Sequence, residues 1–113
     1  MLTIRLSTEC VLLYQAIEQV EAHIAEPDYS VEQLCAALAM SRSNLYKKLI
    51  AITGLAPLQF IRTLRIKRGR QLLEESGESV SQVAYRIGLS PKQFAKYFRE
   101  TYGILPSDFR HTH

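Results

Sequence analysis

Lys92, Lys96 and Arg99 follow one another at spacings of four and three, which at 100° per residue sets three cationic side chains on one face of a helix. The same wheel turns Phe94, Tyr97, Phe98 and Thr101 inward and leaves Ala95 beside the cations. Long cationic side chains on an outer helix face can reach phosphate oxygens or base edges, so the chemistry offered is recognition of a polyanion. A merely solvated face is the alternative for the same three residues. No nucleophile motif, phosphate-cradling loop or dinucleotide fingerprint accompanies them, and His23, His111 and His113 lack metal-ligand spacing, so no enzyme activity, cofactor or metal site is expected. Cys10 and Cys35 sit in apolar helical patterns without a CxxC pair and read as buried, reduced thiols.

The charge is distributed to suit that reading. The chain has 113 residues and a net charge of +3. Its first 29 residues carry one Arg against five acids, a net of −4, whereas residues 30–113 hold thirteen Lys and Arg against six acids, a net of +7. A basic segment of that size fits a polyanionic partner when its cations share a face. With 47% hydrophobic and 22% charged residues, the chain is expected to form one ordinary globular domain over 1–113. The apolar runs are short and the N-terminus lacks the regions of a signal peptide, which predicts a cytoplasmic protein without a membrane partner.

The elements that must position the cations come in two copies. Offset by 49 positions, residues 30–60 overlay 79–109 without a gap, with identities at Ser30/Ser79, Val31/Val80, Gln33/Gln82, Ser41/Ser90, Lys47/Lys96, Gly54/Gly103, Pro57/Pro106 and Phe60/Phe109. Two copies argue for duplication rather than a solenoid. Each opens with Ser and, three residues later, Gln, the capping box that satisfies orphan amides at a helix start. A short helix then meets a small residue, Ala39 or Gly88, and a second Ser able to cap the next helix. The second helices are expected over about 42–53 and 91–102, stopped by Gly54 and Gly103 in the left-handed conformation. A short helix, a tight turn and a second amphipathic helix make a helix-turn-helix unit.

In the first copy the wheel turns Leu45, Lys48, Leu49 and Ile52 inward and Ser43, Tyr46, Lys47 and Ile50 outward. Tyr46 reads equally well as a half-buried packing residue, and Ile50 as a partner for a thymine methyl. Between the copies a helix over about 57–75 carries the apolar residues Leu58, Ile61, Leu64, Leu72 and Leu73 and the cations Arg62, Arg65, Lys67, Arg68 and Arg70. Nineteen residues make about 28 Å of helix, near the roughly 34 Å of one DNA turn. These arginines either flank a polyanion or pair internally with Glu74, Glu75, Glu78 or the acidic first helix, and Arg65 reads as structural. Leu13, Ile17, Val20 and Ile24 give the first segment a stripe for packing on the first unit.

Over residues 7–110 the series SVEQLCAALAMSRSNLYKKLIAITG, PLQFIRTLRIKRGRQLLEES and SVSQVAYRIGLSPKQFAKYFRETYGILPSDFR resembles the DNA-binding domain of the AraC/XylS family of transcription regulators. The resemblance implies an all-α domain of about seven helices, with two helix-turn-helix subdomains at 7–55 and 79–110 joined by a linker helix at 57–75, whose recognition helices enter adjacent major grooves of double-stranded DNA. Carried over position by position, it implies base contacts by Ser43, Tyr46, Lys47, Lys92, Gln93 and Lys96, and phosphate or edge contacts by Ser41, Arg42, Asn44 and Arg99. The chain departs from the family pattern in being one residue shorter between Gly88 and Phe94, which bears on the register of Pro91 to Gln93, and in placing Gly69 where the family has alanine, which is expected to soften the helix by roughly 0.5–1 kcal/mol. The resemblance further implies a transcription activator associated with the nucleoid, contact with RNA polymerase, and a separate sensing or dimerisation domain for which these 113 residues have no room. The competing reading is a helical protein-interaction module that does not bind DNA.

Overall fold

The computed structural model describes residues 7–112, and the described residues form seven helices without strands: α1 (Thr8–Ala22), α2 (Val31–Leu38), α3 (Arg42–Thr53), α4 (Pro57–Glu75), α5 (Val80–Arg86), α6 (Pro91–Tyr102) and α7 (Pro106–Thr112). His113 lies outside the described residues. Among them no single helix is long and apolar enough to cross a membrane.

The helix starts follow from one device used five times. Ser7, Ser30, Ser41, Ser79 and Ser90 each adopt an extended backbone and accept a hydrogen bond from the amide three residues on. This satisfies one of the donors that a helix start leaves without an intrahelical acceptor. The capping boxes expected at Ser30/Gln33 and Ser79/Gln82 are complete, and a third closes at Ser90/Gln93, where the Ser90 amide donates to Gln93 Oε1 at 3.1 Å. Pro91 occupies the first helical position, where no amide donor is needed. The stops also follow the sequence, since Gly54 and Gly103 cap α3 and α6 at φ of 76° and 75°.

The turn inside each copy is the same turn. Ala39 and Gly88, 49 residues apart, both have positive φ, 54° and 75°, and in both the next amide reaches back to the carbonyl five residues earlier, Met40 to Cys35 and Leu89 to Ala84, each at 3.0 Å. Phe94 therefore sits as far beyond Gly88 as Leu45 sits beyond Ala39, and Pro91 to Gln93 take the register that Arg42 to Asn44 take in the first copy.

The chain forms two compact units. The first takes in the described residues up to His23 together with Tyr29–Ile61. Its interior holds Ala16, Val20, Val31, Leu34, Cys35, Leu45, Leu49 and Phe60, with His23 stacked on Tyr29 at 4.7 Å. The face α1 buries is centred on Ala16 and Val20, while Leu13 and Ile17 are only half-buried and Ile24 lies beyond the helix, in the second unit. Cys10 is exposed, contrary to expectation, because it lies about 120° around α1 from Ala16; Cys35 is buried as expected. Lys48 is likewise exposed rather than inward, its stem lining an open depression with Val11, Leu12 and Met40. Ile52 is half-buried, and Leu58 is 61% exposed because it lies near the start of α4, where Phe60 and Ile61 fill the interior instead.

The second unit comprises Ile24–Asp28 and the described residues from Arg62 onward. Its core is Ile66, Leu72, Leu73, Val83, Ala84, Ile87, Phe94, Phe98 and Phe109, with Tyr97, Tyr102 and Ile104 against it. Phe98 meets Phe94, Tyr102 and Phe109 at ring distances of 5.6, 4.8 and 5.4 Å, which fastens α6 to α7. Thr101 does not turn inward, since its hydroxyl donates to the Tyr97 carbonyl at 2.8 Å along the exposed side.

Arginines complete this unit. Arg65 is 4% exposed and donates to the carbonyls of Ile24 and Ile87, both at 2.6 Å, and of Glu26 at 2.9 Å. Burial pushes its guanidinium below the ordinary arginine range, and Glu26 offsets part of that. Arg110 closes the end of α4 through the carbonyls of Leu73, Ser76 and Glu78. Arg62 stacks 4.0 Å over the Tyr97 ring and Arg70 lies 4.9 Å over Tyr102, so these α4 cations cover aromatic surface. Gly69 has a packing reason: a Cβ there would stand 2.7 Å from Phe94 Cε1 and 2.9 Å from Ile87 Cδ1. Any larger residue would press on the core face of α6, against which the helix-propensity cost of roughly 0.5–1 kcal/mol is the smaller term.

Candidate nucleic-acid interface

The outer faces of α3 and α6 are matched position by position. On α3, Ser43, Lys47 and Ile50 fall within about 60° of one another, with Tyr46 at the edge, and all four are exposed, Tyr46 by 52% and Ile50 by 39%. The choice left open for Tyr46 thus falls to exposure. On α6 the equivalent positions are Lys92, Lys96, Arg99 and Ala95, the three cations exposed and Ala95 half-buried. Buried Leu45 and Leu49 hold one face inward, buried Phe94 and Phe98 the other.

Lys92, Lys96 and Arg99 make no ion pair with a described residue, and the nearest aromatic contact is Lys96 Nζ, 5.8 Å over the adjacent Tyr97 ring. Lys96 and Arg99 line an open depression of about 510 Å³ with Ala95, Glu100 and Leu105. Three unpaired cations on one solvated helix face give a local positive potential whose natural complement is a row of phosphates.

The remaining expected site residues stand at the edges. Ser41 is occupied as the cap of α3, its Oγ accepting from the Asn44 amide at 3.1 Å. Gln93 gives its Oε1 to the Ser90 amide, which leaves its NH2 group to donate outward. Asn44 is exposed on the side of α3 toward α1, where it shares a depression with Thr8, Gln15 and Lys48. Arg42 lies on the other side with Tyr46, lining a depression of about 180 Å³ with Val31, Ala56, Pro57 and Leu58. The fold therefore brings together Ser43, Tyr46 and Lys47 in the first unit and Lys92, Lys96 and Arg99 in the second, with Ser41, Arg42, Asn44 and Gln93 at their margins.

One participant escapes the sequence pattern. Arg42 Nη1 donates to Glu32 Oε1, an ion pair bridging α2 to the start of α3, with both side chains well exposed. The carboxyl of Glu32 is held below its ordinary range, first by its own backbone hydrogen bond and then by Arg42. The repeat does not announce it: at the 49-residue offset these positions hold Ser81 and Pro91, so the second unit cannot form the pair.

Comparison with known proteins agrees with this geometry. The model of a family described as a helix-turn-helix domain matches residues 34–112. Over 100 residues the chain is 36% identical to histidine kinase P4 of Formosa agariphila, covering 88% of this chain and 7% of that protein. It is 33% identical over 99 residues to the HTH-type transcriptional activator RhaS of Citrobacter koseri, covering 87% and 35%. The crystal structure of the DNA-binding domain of AdpA, in complex with a target DNA, superposes with a TM-score of 0.79 at 33% identity, covering 95% of this chain and 93% of that one. The chain spans about a third or less of the length of these two curated relatives. The duplicated helix-turn-helix pattern, the all-helical fold and these matches together place the chain in the family of AraC-type helix-turn-helix domains.

Proposed function

We propose that this domain binds double-stranded DNA sequence-specifically and regulates transcription, with α3 and α6 as recognition helices in successive major grooves. The observation that carries the proposal is the outer face of α6, where Lys92, Lys96 and Arg99 are exposed, aligned and without carboxylate partners among the described residues. The matching face of α3 and the single helix α4 that continues from one unit into the other support a two-part site. In this reading Ser43, Tyr46, Lys47, Lys92, Gln93 and Lys96 face base edges, and Ser41, Arg42, Asn44 and Arg99 face phosphates or the groove edge. The boundaries 7–55, 57–75 and 79–110 serve as reader, connector and reader.

Activation is the favoured direction of regulation, supported by the similarity to the activator RhaS. Contact with RNA polymerase, a separate sensing or dimerisation domain in the whole protein, a place on the cytoplasmic nucleoid and the lack of catalysis belong to the same proposal.

Lys96→Ala separates two roles for the most central cation. If Lys96 meets a phosphate, affinity falls for every sequence and the slope of log K against log salt becomes shallower by about one. If it reads a base edge, discrimination at one base position falls by roughly 1–3 kcal/mol while the slope holds. Titration of target and scrambled duplexes at several salt concentrations measures both, and an unchanged affinity contradicts either role.

A further inference from the structure

We infer that Glu32 withholds Arg42 from indiscriminate phosphate contact and so sets how strongly the first unit binds DNA of the wrong sequence. The inference rests on the DNA-binding reading and names the residue that tunes it. Arg42 is the first residue of α3, beside the exposed face of Ser43, Tyr46 and Lys47, where an arginine is well placed to meet a backbone phosphate. In the free domain it is instead spoken for by Glu32. Glu32 sits in the first turn of α2, where the backbone amides of the helix start favour its charged form, so the carboxylate stays ionised at neutral pH and presents a negative charge beside the reading helix.

Two consequences follow from the exposure of the pair, 68% for Arg42 and 60% for Glu32. A solvated ion pair is weak, so phosphates held close by a well-docked target can displace the carboxylate. A loosely docked, wrong sequence holds its phosphates less closely, and there Arg42 remains with Glu32 for as long as the carboxylate is present. The second unit, with Ser81 and Pro91 at these positions and three α6 cations that make no ion pair with a described residue, has no such pair to restrain it. The geometry thus assigns generic attraction to the second unit and conditional attraction to the first.

The test is a double-mutant cycle on a random-sequence duplex, using the intact chain and the variants Glu32→Gln, Arg42→Gln and both together. Helicity and melting curves check the fold, which two exposed side chains leave intact. Glu32→Gln is expected to tighten binding about three- to tenfold at low salt and to steepen the salt slope by about one, so that the gain shrinks about threefold for each fourfold rise in salt. In the Glu32→Gln background, Arg42→Gln is expected to remove the gain. A gain that survives in the double variant shows simple relief of charge repulsion and overturns the inference, as does the absence of a gain while the unmodified chain binds. Failure of the unmodified chain to bind any duplex at low salt overturns the DNA-binding reading itself, and this inference with it.

Discussion

Gly88→Ala is expected to destabilise the domain by about 4–7 kcal/mol, far more than a left-handed alanine costs by itself. The backbone at Gly88 has φ of 75°, which for an alanine is worth roughly 1–2 kcal/mol of strain. The larger part is steric and then electrostatic. A Cβ at this position would lie 1.8 Å from Arg65 Nη1 and 2.7 Å from the Ile24 carbonyl oxygen, one of that guanidinium's acceptors. The methyl group can be accommodated only if Arg65 leaves, and its departure strips donors from the carbonyls of Ile24, Glu26 and Ile87. Breaking up a buried charged group and its partners costs about 3–5 kcal/mol. Gly103 supplies the control, because its φ is also 75° and a Cβ there meets nothing within 4 Å. Gly103→Ala should lose only the conformational part, about 1–2 kcal/mol. Urea denaturation of both variants measures the difference, and equal losses would show that Arg65 does not depend on the space beside Gly88.

Phe98→Ala is expected to cost about 3–5 kcal/mol, the range for truncating a fully buried phenylalanine. Phe98 is 0% exposed and is the shared neighbour of Phe94, Tyr102 and Phe109, so its loss opens a cavity where α6 packs on α7. The surrounding rings are themselves held by Arg62 over Tyr97 and Arg70 over Tyr102, which limits collapse into the void. Phe98→Leu should recover most of the stability by refilling volume. A loss below about 1 kcal/mol in Phe98→Ala would show that α6 is not anchored through this ring.

Most of the fold was legible because its punctuation is local. Ser at a helix start, Gln three residues on and Gly at the stop each act within a single turn, and so the bounds of α3, α4 and α6 follow from residues adjacent in sequence. The duplication made the two turns interpretable together, whereas the register of Pro91 to Gln93 stayed open until the matching turn geometry at Ala39 and Gly88 fixed it. A helical wheel gives the phase of a face but not its width, and this is why Lys48, Thr101 and Leu58, all on the apolar side of their wheels, are found in solvent. Cys10 illustrates the same limit, since it lies about 120° around α1 from buried Ala16. The least legible features join residues distant in the chain. Arg65 reads as structural from its position, yet its acceptors lie 22 to 41 residues away and are backbone carbonyls, which no side-chain pattern announces. The crowding at Gly69 depends on Phe94 and Ile87 in the same way. At the candidate site, the exposed faces follow from periodicity, whereas the pairing of Arg42 with Glu32 crosses the turn between two helices and emerges only from the fold.

The measurement that bears most directly on the proposed function is fluorescence anisotropy of the unmodified chain with a random-sequence duplex library at several salt concentrations, followed by sequencing of the bound fraction. A two-groove DNA reader predicts a steep salt slope and an enriched site of two blocks about one helical turn apart. The absence of binding even at low salt would contradict it and leave the duplicated fold as a protein-interaction scaffold.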